Sequence, residues 1–120
     1  MTDEQDQFPR ELELLKAFKD GVIMFHFGYY IDDEAVVDRG FDQMSGAAKA
    51  LRELRPDGIR ALEPLMDDPE PGVQVMAADY LMRVFPERAL PLLEKWANSA
   101  ELEAGTSARA ALRDYKAGRS

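Results

Sequence analysis

Residues 8–30 read FPRELELLKAFKDGVIMFHFGYY, and this stretch decides the fold class. Its apolar positions Leu12, Leu15, Phe18, Val22, Phe25 and Tyr29 recur at steps of three and four. That spacing puts them on one face of a long helix. Pro9 suits the first turn, where its missing N–H has no intrahelical partner. Gly21 and Gly28 lower the helix propensity, and the helix is expected to end near Tyr30.

Upstream, residues 1–7 read as a disordered acidic tail, leaving residues 8–118 as a single helical domain. Downstream, Asp32-Asp33-Glu34 places three acids where a second helix would present its positive dipole end. Val37, Phe41, Met44, Ala48, Leu51 and Leu54 supply that helix with an apolar stripe, and Pro56 stops it. Shorter units follow. Ile59, Leu62 and Met66 mark one helix, and Asp67 to Gly72 form a turn with two prolines. Val73, Ala77, Tyr80, Leu81 and Val84 mark the next, broken at Phe85-Pro86. Ala89, Leu92, Leu93 and Trp96 mark another, with Trp96 expected in the core. Asn98 to Glu101 read as a capping box. Ala104, Ala108, Ala111, Leu112 and Tyr115 mark the last helix, which Gly118 ends. No segment alternates with period two, and hairpin dipeptides are missing. The expected fold is all-α, about six helices in antiparallel pairs stacked as an α-α superhelix. Arg60-Ala61-Leu62 recurs as Arg88-Ala89-Leu90, and Ala77 with Leu81 recurs as Ala108 with Leu112. Such echoes suit hairpins that bury their faces by stacking.

The net charge of −8 opposes binding to nucleic acid or anionic membranes and favours a basic protein. Cysteine is absent, which excludes disulfides, thiolate metal sites and a cysteine nucleophile. No apolar run approaches the ~18–20 residues of a membrane span. The first residues are acidic, unlike a secretory or mitochondrial leader. A cytoplasmic protein is expected.

The run Ala61-Leu62-Glu63-Pro64-Leu65-Met66, then Asp68 to Val73, Ala77-Ala78, Pro86-Glu87-Arg88-Ala89 and Leu93-Glu94, resembles HEAT-like repeats. More narrowly, it is similar to a family of small bacterial HEAT-like domains, the domain-of-unknown-function family numbered twenty nineteen. Phe41-Asp42-Gln43-Met44 and Ala104-Gly105 fit the same pattern, and the resemblance spans roughly residues 33–117. It implies a HEAT-like solenoid and an accessory role, in some proteins of this kind as the immunity partner of a bacterial toxin. One departure stands out: many HEAT repeats carry an arginine after the valine of the second helix, and this chain carries Gln74.

Catalytic signatures are weak. His26 is the only histidine, so neither a two-histidine metal site nor an HExxH motif exists. It is expected to be partly buried or at an edge. The two acid clusters lack the alternating ligand spacing of a calcium loop. No glycine-rich phosphate loop or nucleophile elbow is present. No enzyme activity, cofactor or metal is expected. Phe25, Phe27, Tyr29 and Tyr30 are dense enough that some must point away from a core, and exposed tyrosines make good anchors. The reading is a non-catalytic protein-binding module: an immunity protein that covers a basic toxin, such as a nuclease, with an acidic surface. Tyr29, Tyr30, Asp32, Asp33, Glu34, Asp67, Asp68 and Glu70 are the candidate contacts. The alternative is an adaptor or assembly subunit, a homodimer joined through the N-terminal aromatics.

Overall fold

The computed structural model describes residues 3–118, with side chains from residue 9 onward. Five α-helices and one 3-10 helix follow one another with no strand among the described residues. The fold is all-α, built from helices packed in contacting pairs, an arrangement compatible with an α-α superhelix. The chain gathers into two compact units, Met1–Ala61 and Leu62–Ser120.

The first unit is an antiparallel hairpin of α1 (Asp3–Tyr30) and α2 (Glu34–Leu54). Leu14, Phe18 and Val22 of α1 are buried with Met44, Ala47, Ala48 and Leu51 of α2. The helices touch backbone to backbone along part of the seam. A Cβ on Gly40 would sit 2.3 Å from the Phe25 nitrogen, and one on Gly28 would sit 2.6 Å from that of Val37. Only a residue without a side chain fits at either point. Gln43 Nε2 donates to the Ala17 carbonyl, 3.0 Å away. Arg55, which caps α2, forms ion pairs with Glu11 of α1 and with Asp57.

Two apolar positions in the expected stripe of α1 lie outside this core. Leu12 and Tyr29 are exposed, and in α2 so is Phe41. The glycine contacts set the rotation of the pair, and they bring the Leu14–Phe18–Gly21 side of α1 inward. Helix α1 also includes Asp3–Gln7, the stretch expected as a tail. Acids at this end of the sequence suit a helix N-terminus. Met1 and Thr2 lie outside the described residues.

The second unit contains α3 (Pro71–Leu81), α4 (Pro86–Ala97) and α5 (Leu102–Lys116), each packed on the other two. Its core draws on Val73, Ala77, Ala78 and Leu81 of α3, Ala89 and Leu93 of α4, and Ala104, Ala108 and Ala111 of α5. The small side chains let the helices approach closely. Pro71 and Pro86 occupy the first turns of their helices. The 3-10 helix η1 (Gly58–Asp67) leads into this unit.

Two local expectations change. The segment of Ile59, Leu62 and Met66 is a 3-10 helix, not an α-helix. Pro64 lies inside it, lacks an N–H and would clash with the carbonyl four residues back in an α-helix. The capping box does not form. Asn98 ends α4 instead, with its Nδ2 donating to the Glu94 carbonyl at 2.9 Å. Helix α5 starts after Glu101 with no side-chain cap, and Ser99 Oγ accepts from the Glu101 N–H.

Candidate protein-binding surface

The turn between α1 and α2 is three residues long and fully specified. The Asp33 N–H donates to the Gly28 carbonyl at 2.8 Å, and the Asp32 N–H donates to that of Tyr29 at 3.2 Å. This pair of bonds is a Schellman motif. Its left-handed position, usually glycine, is held here by Asp32 at φ 56°. A non-glycine residue there costs about 1 kcal/mol or more. Asp33 then caps α2, its Oδ1 accepting from the Ala35 and Val36 N–H groups at 3.0 and 3.3 Å.

This geometry displays a compact group. Tyr29 and Tyr30 are 60% and 78% exposed, and Ile31 is exposed beside them. The Tyr29 ring stands edge-on to Phe25 at 5.1 Å, and Phe25 lies 6.3 Å from the half-exposed Phe41. Asp32, Asp33 and Glu34 are exposed. Within the described residues, the carboxylates of Asp32 and Glu34 engage in no hydrogen bond or ion pair. His26 is half-buried, its ring 5.3 Å from that of Phe25.

The second acid cluster belongs to the other unit and is occupied differently. Asp67 accepts from Arg88 at 3.0 and 3.1 Å, and Glu63 accepts from the same guanidinium at 3.1 Å. The hydrogen bond to Asp67, with help from Glu63, raises the Arg88 pKa above its ordinary value. Asp68 folds the turn, accepting from the Glu70 N–H at 2.9 Å. Glu70 is exposed at the start of α3. These acids join η1 to α3 and α4.

Gln74 ties α3 to the turn before it and to α4. Its Nε2 donates to the Asp68 carbonyl at 2.6 Å, and its Oε1 accepts from the Trp96 indole N–H at 3.0 Å. Trp96 is therefore a half-buried, hydrogen-bonded side chain with Lys95 5.1 Å from its ring centre. Helix α3 also carries a carboxyl with a shifted pKa. Burial, then the charge of Asp114, pushes Asp79 up to about 6 from 3.8. Among the described residues no three histidine, aspartate or glutamate side chains meet in a group that could hold a metal ion, and no helix is long and apolar enough to cross a membrane.

One exposed residue, Ile23, escaped the sequence reading, and it lies beside Phe27, which that reading placed among the dense aromatics. Ile23 and Phe27 are 44% and 53% exposed, in line with Tyr30. The signal was present in the spacing: 23, 27 and 30 share a helix face, turned away from that of Phe18 and Val22. Comparison with protein-family models, curated proteins and solved structures gives no match to this chain.

Proposed function

We propose that the protein is a non-catalytic binding module for a basic protein, acting as an immunity protein that covers the substrate cleft of a basic toxin. The supporting observation is the α1–α2 turn, where exposed tyrosines stand beside carboxylates that the fold leaves uncommitted. Aromatic anchors flanked by charge are the usual makings of an interface hot spot. The turn is pre-ordered by its Schellman bonds and by the Asp33 cap, so little entropy is lost on docking. Acids in place of phosphates would attract a nuclease-like partner and speed its association. Of the candidate contacts, Asp32 and Glu34 carry this reading with Tyr29 and Tyr30. Asp33 orders the turn, and Asp67 and Asp68 already serve the second unit.

The experiment is capture of a basic protein from native lysate, followed by direct titration with the wild type and the variant Asp32→Lys/Glu34→Lys. The expected result is salt-sensitive binding that the charge reversal weakens by more than tenfold. Equal affinity of the two forms, or no basic protein bound, would remove the reading. Asp32→Gly separates the two roles of that residue: it relieves the left-handed strain and raises stability, yet it weakens partner binding.

A further inference from the structure

The sequence holds two Asp-Gly pairs, Asp20-Gly21 and Asp57-Gly58. In such a pair no side chain on the second residue hinders its nitrogen from approaching the aspartate carboxyl, so the dipeptide is open to main-chain cyclisation. Packing demands the glycine in both places. A Cβ on Gly21 would sit 2.7 Å from the Met44 nitrogen, and one on Gly58 would run into the Leu51 carbonyl. Neither position can be shielded by giving it a side chain.

The two pairs are held differently. Asp20 and Gly21 lie in the interior of α1, where the hydrogen-bond ladder fixes the glycine nitrogen. Gly21 is buried, and Asp20 is paired with Lys16 at 3.1 Å. Asp57 and Gly58 follow the end of α2. There the Gly58 N–H donates to the Arg55 carbonyl at 3.0 Å, one bond of a four-residue turn. The Asp57 carboxylate is 63% exposed and accepts from Arg55 Nε at 3.1 Å. Arg55 is also paired with Glu11. Freeing the Gly58 nitrogen opens one turn, whereas freeing that of Gly21 undoes the middle of a long helix and its seam with α2.

We propose that Asp57-Gly58 is a site of spontaneous isoaspartate formation, and that the fold shields Asp20-Gly21 from the same reaction. When the Asp57 carboxyl carries a proton, the Gly58 nitrogen attacks Cγ. The N–Cγ bond forms, the Cγ–OH bond breaks, and the amide proton leaves with the hydroxyl as water. Water then opens the five-membered imide. Cleavage between the nitrogen and the Asp57 main-chain carbonyl carbon leaves that carbon as a free carboxylate and routes the chain through Cγ. Atoms balance overall, and the reaction needs water alone. The product carries an added methylene in its main chain, and its carboxylate stands on Cα. It loses the contact that Asp57 makes with Arg55, and Gly58 cannot keep its close seat against Leu51. The last turn of α2 therefore loosens.

The test is to incubate the whole folded chain near neutral pH at physiological temperature, beside the chain in denaturant, until the denatured sample has converted at both pairs. Isoaspartate is located by electron-transfer fragmentation and by resistance to a protease that cuts before aspartate. The folded protein is expected to convert at residue 57 at least about tenfold faster than at residue 20, because a helix interior must open first. Asp57→Glu is expected to form no isoaspartate at that position. Hydrogen exchange in the last turn of α2 is expected to be faster in aged wild type than in aged Asp57→Glu. Folded protein that stays unconverted at 57 overturns the proposal. So do equal rates at 20 and 57 in the folded state. Conversion at 57 with unchanged exchange in α2 overturns the structural consequence drawn from it.

Discussion

The two units solve the burial problem in opposite ways. The second encloses a core among three mutually packed helices, rich in alanine, and leaves Leu102 as its exposed large apolar side chain among the described residues. The first has only two helices. Leu12, Ile23, Phe27, Tyr29, Tyr30, Ile31 and Phe41 all remain exposed there. A two-helix hairpin has one seam, and a long helix with apolar residues on two sides can bury only one of them. Apolar surface beyond what a fold can cover marks a place for association. The contrast sets a unit that exposes one large apolar side chain against one that exposes seven among the described residues.

The sharpest way to break the contrast is at the glycine seam. Gly40→Ala would drive a methyl group into the Phe25 backbone, where no side chain can yield. A loss of about 3 kcal/mol is expected, read by denaturant unfolding and by faster hydrogen exchange in α1 and α2. Unchanged exchange there would mean the helices do not touch as described. A smaller effect sharpens the other side. Asp79 holds a raised pKa, so its native state binds a proton more tightly than the unfolded chain does. Its cost to stability is absent below about pH 4, grows as pH rises, and is complete above about 6. Asp79→Asn is therefore expected to stabilise by roughly 2 kcal/mol at neutral pH and by little near pH 4. Equal gains at both pH values would assign the effect to something other than charge. The smallest effect is at Gly46, where an added Cβ meets nothing within 4 Å. Gly46→Ala is expected to raise stability by up to about 1 kcal/mol through helix propensity, with the opposite sign to Gly40→Ala in the same helix.

The long helices were legible because their periodicity is strong and their boundaries are chemical: acids before α2, Pro56 after it, Pro71 and Pro86 at later starts. Rotation within the α1–α2 pair was not. A stripe of apolar residues gives a direction, but Gly21, Gly28 and Gly40 decide where backbones meet, and a glycine carries no apolar signal. This is why Leu12, placed in the apolar stripe, is found outside, and why Tyr29, placed both in that stripe and among the candidate contacts, is exposed. Asp33 was legible as a helix-start acid because capping is local in sequence. Gln74 could be seen as a departure from a pattern, yet its bond to Trp96 joins residues 22 apart. The engagement of Asp67 by Arg88 joins residues 21 apart.

The single tryptophan gives the molecule an uneven optical voice. Trp96 lies within the second unit, its indole N–H held by Gln74 and its ring beside Lys95. Its emission colour and quenching therefore report on α3 and α4. Far-ultraviolet ellipticity, by contrast, weighs every helix. A melt followed by both signals at once becomes a two-channel recording, in which any lag between them times the loss of one unit against the other without a label being added.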